Sequence, residues 1–361
     1  MRIAQLAPPF ESVPPSGYGG TERVVSTLTE ELVRRGHEVS LFASADSRTA
    51  ARLVPIVDRA LWHRNPPCND FQKHAEAIFA TVLTHVGEFD VVHSHLDFLG
   101  LPLAKMRQHA VVTTIHGRLD LPDLLPTYRQ FGSAPLVSIS NAQRRPLPEA
   151  HWVATVHHGI NVRAFTFNPT PQSYLAFLGR ISPEKGLDAA IRVARRTGRR
   201  LLIAARPPLA FAQNPEARRD REYYEQVVRP MLDEPGVEMV GQVGGADKDA
   251  FLGNAAALLF PIRWPEPFGL VMPEALACGT PVIAVRDGSV PEVLENGVTG
   301  WICDSEDGLV RAVERIHELD RARCRAEAER RFSPAAMADR YECAYAQVLA
   351  GRAADEVATY A

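Results

Sequence analysis

Short runs rich in valine, isoleucine and leucine alternate with longer amphipathic segments along this chain, and the alternation runs through two series. Such a rhythm belongs to parallel sheets covered by helices and excludes most all-helical and all-strand folds. In the first series, strands are predicted near 3–7, 38–42, 91–93, 111–115, 136–139 and 153–157, with helices over 21–35 and 69–86. The helix over 21–35 carries Val24, Val25, Leu28, Leu32 and Val33 on one stripe, and Gly36 is placed to stop it. The polar, proline-bearing stretch Asn168-Pro-Thr-Pro-Gln-Ser interrupts the pattern. The second series then predicts strands near 174–178, 201–205, 237–240, 257–260 and 281–284. The expected architecture is α/β, with two doubly wound Rossmann-like domains at 1–165 and 171–332 and a last helix over 334–350. Each domain of this kind binds ligands at the carboxyl ends of its strands, so two facing domains create a cleft.

A length of 361 residues suits two domains. Forty basic residues against 43 acidic ones give a formal charge of −3, which supplies no general attraction for nucleic acid. The five cysteines are widely spaced and never form C-x-x-C, so neither a disulfide framework nor a cysteine zinc site is indicated. The chain opens on a strand-like run without a signal-peptide core and has no uninterrupted apolar segment of spanning length, so a cytoplasmic location is expected.

Four segments bear chemistry. Gly17-Tyr-Gly19-Gly20-Thr-Glu precedes the first helix, where glycines let a backbone approach phosphate oxygens, although the spacing does not match the dinucleotide fingerprint G-x-G-x-x-G. Asp90-Val-Val-His93-Ser-His95-Leu-Asp97 and, one strand later, Ile115-His116-Gly117 offer a polar cluster. His93 and His95 share one strand face, so these two with Asp97 and His116 are also a candidate metal shell. Gly179-Arg180-Ile-Ser-Pro-Glu-Lys185-Gly186 places a planar fork and a point charge five residues apart between strand and helix, which suits a diphosphate. Glu266-Pro-Phe-Gly-Leu-Val-Met-Pro-Glu274 sets two carboxylates around a helix expected to start at 268 or 269. The backbone amides of Phe268, Gly269 and Leu270 suit an anion there, while the carboxylates suit hydroxyl groups. Asp247-Lys-Asp249 spells a D-x-D, but its position favours helix capping over metal binding.

Taken in order, these segments, with His158-Gly-Ile-Asn, Asp287-Gly-Ser-Val-Pro-Glu292 and Asn296-Gly-Val-Thr-Gly-Trp301, resemble a retaining GT-B glycosyltransferase of glycosyltransferase family 4. The resemblance spans nearly the whole chain and implies a nucleotide diphosphate sugar as co-substrate, with UDP-hexose preferred, and no cofactor or metal. It implies that Arg180 and Lys185 bind the diphosphate, Glu266 the donor-sugar hydroxyls and Glu274 the ribose. The amides of Phe268, Gly269 and Leu270 would hold sugar and phosphate. Gly19 and Gly20 would approach the diphosphate from the other domain, His116 would lie beside the reacting sugar, and His95 and His116 would face the acceptor side. The last helix would cross back to the first domain. Ser289 departs from a glycine common at that point in the family. The acceptor, a small molecule or glycan, and the oligomeric state are not implied. Two other readings stand beside this one: a sugar-nucleotide epimerase or hydrolase of the same fold, and a metal-dependent hydrolase using His93, His95, Asp97 and His116. Peripheral membrane contact through Arg52, Arg59, Trp62 and Arg64 is no better founded than a solvated helix face.

Overall fold

The computed structural model describes all residues except 18, 69, 106–108, 206, 209–214 and 361. The chain divides into two compact units, Met1–Ile160 with Pro334–Ala361, and Asn161–Ser333. The first unit holds strands β1 (Arg2–Leu6), β2 (Glu38–Ser44), β3 (Arg52–Val57), β4 (Val91–Ser94), β5 (Ala110–Thr114), β6 (Leu136–Ser138) and β7 (Trp152–Thr155). They form one sheet in the order β3-β2-β1-β4-β5-β6-β7, parallel throughout. Its helices are α1 (Gly20–Arg34), α2 (Gln72–His85), α3 (Leu125–Gln130) and, from the chain end, the helix Pro334–Tyr360.

The second unit repeats the plan with β8 (Leu175–Leu178), β9 (Leu201–Ala204), β10 (Val237–Gly241), β11 (Ala257–Phe260), β12 (Val282–Val285) and β13 (Gly300–Cys303). Their order is β10-β9-β8-β11-β12-β13, again parallel. Helices α4 (Leu187–Thr197), α5 (Pro215–Tyr223), α6 (Gly245–Gly253), α7 (Val271–Ala277), α8 (Val290–Val293), α9 (Glu306–Glu314) and α10 (Arg321–Phe332) connect and cover it; the chain-end helix Pro334–Tyr360 is α11.

Central strands of both sheets are buried on both faces, which is why they read as continuous apolar runs. Leu6, Phe42, Ile78 and Val92 anchor one core of the first unit, and Leu175, Ile191, Ile203, Leu259 and Ile283 the core of the second. At roughly 25 cal/mol per Å2 of apolar surface, each such side chain contributes about 1.5–3 kcal/mol.

Two strands escape the sequence reading. Both β3 and β13 lie at sheet edges; β3 is interrupted by Pro55, which an edge tolerates, and β13 begins at Gly300. Against the helix expected over 69–86, α2 begins at Gln72; Asn69 lies outside the described residues.

Strand order reverses between β1 and β4 in the first sheet and between β8 and β11 in the second. Those two places are the topological switch points, where doubly wound sheets open a crevice at their carboxyl ends.

Candidate functional site

The switch point of the second unit gathers Arg180 and Lys185 after β8 and Glu266 after β11. Lys185 Nζ pairs with Glu266 Oε2, and the indole Nε1–H of Trp264 donates to the same oxygen at 2.9 Å. Lys185 also lies over the Trp264 ring, 5.1 Å from its centroid. A sequence-distant cation and carboxylate are thus held as one polar unit against an indole.

The backbone around this pair is locked. Gly186 takes the left-handed conformation (φ +67°), and a Cβ there would run into the carbonyl of Pro261. Arg263 N donates to Glu184 O at 2.8 Å, tying the two loops together. Gly288 (φ +48°) lies against the backbone of Pro265 and Glu266, where any Cβ would collide. Ser289, the residue that departs from the family pattern, fits this frame: its N donates to Glu266 O and its Oγ to Phe268 O, each at 2.9 Å.

Arg180 is half-exposed. Its Nη1 donates to Glu216 Oε1 at 2.7 Å, and its Nε lies 3.6 Å from Asp220 Oδ2. The fork expected to hold a diphosphate is therefore engaged by carboxylates on α5 in this structure.

Around the second glutamate two expectations need correction. Helix α7 spans Val271–Ala277 instead of starting at 268 or 269, because Gly269 adopts φ +75°, which a right-handed helix cannot accommodate. The amides of Phe268, Gly269 and Leu270 therefore precede a seven-residue helix, and its dipole adds little there. Glu274, buried in the first turn of α7, pairs with Lys248 Nζ through Oε1 at 2.5 Å. The second correction concerns Asp247-Lys-Asp249. Gly244 occupies the cap of α6 without a side-chain bond, while Asp249 accepts from Thr166 N at 2.8 Å, so neither aspartate caps that helix.

In the first unit, Gly19 precedes α1 and Gly20 is its first residue; a Cβ on Gly19 would lie 2.7 Å from Pro15 Cβ. Arg23 Nη2 donates to Gly17 O at 2.9 Å and closes the loop. Glu22 is buried beneath it, and burial pushes its carboxyl up to about 7, opposed by its own backbone amide.

The histidine cluster lies at the switch point of that sheet. His93 is buried, with Nδ1 2.8 Å from Tyr345 OH and Nε2 2.7 Å from Thr114 Oγ1. His95 Nε2 is 2.7 Å from Gln5 Oε1, and its Nδ1 is 2.9 Å from His116 Nε2. His116 stacks on His158 with ring centroids 5.1 Å apart, and its Nδ1 is buried with no hydrogen-bond partner. Burial pushes His116 down to about 3 and holds His93, His95 and His158 well below the usual imidazole range. Asp97, at φ +49°, turns its carboxylate onto the backbone N–H groups of His116 and Gly117 at 2.6 and 3.4 Å. Burial nonetheless raises that carboxyl to about 6.

These bonds use the groups on which a metal shell would depend. His93 and His95 have both ring nitrogens engaged, Asp97 serves two amides, and among the described residues no three histidine, cysteine or acidic side chains are grouped to hold a metal ion. The hydrolase reading built on His93, His95, Asp97 and His116 does not fit this geometry.

Sequence reasoning passed over Gln5, Trp264 and Lys248. Gln5 carried a signal, being a polar residue inside an apolar strand and fully buried. Trp264 stands two residues before Glu266, but nothing in the sequence marks its indole as a donor to that carboxylate, and Lys248 meets Glu274 only through tertiary contacts.

Comparison with known proteins agrees with the fold. The family model "Glycosyltransferase Family 4" matches residues 18–164, and "Glycosyl transferases group 1" matches residues 161–336. The D-inositol 3-phosphate glycosyltransferase of Mycolicibacterium smegmatis is 29% identical over 92% of this chain and 87% of that protein. Its counterpart from Mycobacterium marinum is 24% identical over 85% of this chain and 75% of its own length. Among solved structures, AviGT4, a glycosyltransferase involved in avilamycin A biosynthesis, superposes with a TM-score of 0.73 at 24% identity, covering 97% of this chain and 98% of its own. Sucrose-phosphate synthase from Thermosynechococcus elongatus gives 0.76 at 19% identity, covering 97% and 99%. The Anabaena protein HepE in complex with UDP-glucose gives 0.70 at 18% identity, covering 97% and 100%.

The chain belongs to glycosyltransferase family 4 and has the GT-B fold. It is a glycosyltransferase, which sets aside the epimerase and hydrolase readings, and among its described residues no helix is long and apolar enough to cross a membrane.

Proposed function

We propose that this enzyme transfers a hexose from a nucleotide diphosphate sugar, UDP-hexose in first place, to a hydroxyl-bearing small molecule or glycan, with retention and without a metal or organic cofactor. The observation that carries the reading is the Lys185–Glu266 pair at the second switch point, with Trp264 behind it. A diphosphate reaching Lys185 exchanges one carboxylate partner for two phosphates, and Glu266 is then released toward sugar hydroxyls. Arg180 makes the same exchange from Glu216, adding a bidentate fork.

Departure of a nucleoside diphosphate from an oxocarbenium-like sugar asks chiefly for charge stabilisation on the leaving group. Arg180, Lys185 and the amides of Phe268, Gly269 and Leu270 supply it, with Gly19 and Gly20 allowing close backbone approach. Glu274 takes the ribose with the oxygen that Lys248 leaves open. His116 serves the reacting sugar, with His95 behind it. The relatives named for D-inositol 3-phosphate make that compound the first acceptor to try.

The test is a thermal-shift panel of UDP, GDP and ADP, free and sugar-linked, repeated with Lys185→Ala, followed by transfer assays with and without excess chelator. Stabilisation by one nucleotide that vanishes in the variant supports the donor site. No response from the parent protein, an unchanged response in the variant, or transfer that stops with chelator contradicts the corresponding part of the reading.

A further inference from the structure

A continuous hydrogen-bonded chain runs through the first unit from α11 to the histidine of the proposed sugar site. It begins at Tyr341 OH, passes to Thr114 Oγ1 at 3.0 Å and to His93 Nε2, crosses that ring to Tyr345 OH, and reaches Gln5 Nε2 at 3.0 Å. From Gln5 Oε1 it continues to His95 Nε2, and from His95 Nδ1 to His116 Nε2. It stops at His116 Nδ1, which is buried and has no partner.

We propose that Gln5 is a positioning residue that sets the tautomer of His116. In such a chain each link has one donor and one acceptor, so the amide of Gln5 fixes every ring beyond it. With its NH2 toward Tyr345, its carbonyl oxygen takes the proton of His95 Nε2. His95 Nδ1 is then an acceptor, His116 must donate from Nε2, and His116 Nδ1 is left as a bare lone pair. On the other side, Tyr345 donates to His93 Nδ1, and His93 donates from Nε2 to Thr114.

Reversing the amide reverses all three imidazoles and leaves His116 Nδ1–H buried with nothing to accept it. Stranded N–H donors are rarer in proteins than under-used acceptors, and a stranded polar group costs about 1–3 kcal/mol. The observed orientation is therefore the favoured one. It leaves His116 Nδ1 as an acceptor, able to take a hydroxyl proton once uncovered and unable to donate toward an oxyanion. Burial keeps the rings neutral, so the ordering holds across ordinary pH.

The ordering stands on geometry alone; its effect on turnover rests on the proposed function. The test is 15N NMR of the full chain with labelled histidine, the His116 signal being assigned by its loss in His116→Gln. The parent should show Nε2–H at His116, and an Nδ1–H signature there overturns the proposal. In Gln5→Leu the His116 signal should become mixed or reversed. In Gln5→Glu the carboxylate accepts from both sides, so His116 should keep Nε2–H while His93 turns to Nδ1–H. If Gln5→Leu does not fold, Tyr345→Phe frees the amide to rotate and should give the same mixing; an unchanged His116 tautomer in whichever of these two folds overturns the idea. With whichever donor the thermal-shift panel identifies, Gln5→Leu should lose about tenfold in kcat/KM, and Gln5→Glu should recover most of it. Unchanged turnover beside an altered tautomer also counts against the positioning role. If no donor is found, the functional reading fails and the tautomer measurement still decides the ordering.

Discussion

Lys185 and Glu266 lie 81 residues apart in sequence and share one ion pair at the switch point of the second sheet. Each partner is largely shielded, with side-chain exposures of 20% and 10%. Neither charge is stranded, and in the proposed reading binding proceeds by exchange of partners.

Lys185→Ala should therefore remove nucleotide-dependent thermal stabilisation and lower kcat/KM by about 10²–10³-fold, the usual cost of deleting one donor to a developing anion. Glu266→Gln keeps an oxygen for the Trp264 N–H but loses the charge. It should raise KM for the sugar-linked nucleotide and, because Lys185 no longer gives up a charged partner, leave the affinity for the free nucleotide equal or tighter. Titration of both ligands by calorimetry checks this, and parent-like kinetics would remove Glu266 from the sugar site.

Lys248 and Glu274 are more deeply buried, with side-chain exposures of 12% and 5%. Removing one member of a buried pair strands the other, at about 3–5 kcal/mol. Lys248→Met should show that loss in urea unfolding, and Lys248→Met with Glu274→Gln should recover part of it. Equal losses in the single and double variants would mean that the pair is not coupled.

Gly288→Ala places a methyl against the Glu266 backbone at a φ of +48°, and Ser289→Ala leaves the carbonyl of Phe268 without its hydroxyl donor. Both should raise the KM for donor. For Ser289→Ala the stability cost should be about 1–3 kcal/mol. Donor kinetics together with denaturation midpoints separate the two effects.

Acid sensitivity follows from the four buried histidines. Unfolded, they titrate near 6.5; folded, His116 stays neutral down to about 3, and His93, His95 and His158 are depressed in the same direction. The unfolded chain binds more protons through this window, so their contribution is complete above pH 6.5 and falls as pH drops. Glu22 and Asp97 act oppositely, because their carboxyls are raised to about 7 and about 6 and favour the folded state as pH falls. The histidines outnumber them, so Tm should decline between pH 7.5 and 5 by about 1.4 kcal/mol of stability per pH unit per net proton. Asp97→Asn, lacking one opposing group, should fall more steeply. A flat Tm for the parent would contradict the buried neutral cluster.

The sheets were legible where strands are central and apolar, as β4, β5 and β11 show, because burial on both faces writes an uninterrupted pattern. Edge strands β3 and β13 lack that pattern, and Pro55 and Gly300 disguise them further. The candidate donor residues could be read from their spacing around glycines. Their partners could not, since Lys248 meets Glu274, and Trp264 frames Lys185, only after the loops are placed. Gly269 is instructive: the sequence places it at the start of a helix, but only its φ reveals that α7 must begin after it.

The return of α11 to the first unit has a temporal side. Gln5 and Tyr345 are joined by a hydrogen bond across 340 residues, and Thr114 and Tyr341 by another across 227. During synthesis, residues Asn161–Ser333 are all joined to the chain before the tyrosines that finish the first sheet's polar interior exist. The half of the molecule made first is thus completed last, with its histidine cluster waiting open until the final helix arrives.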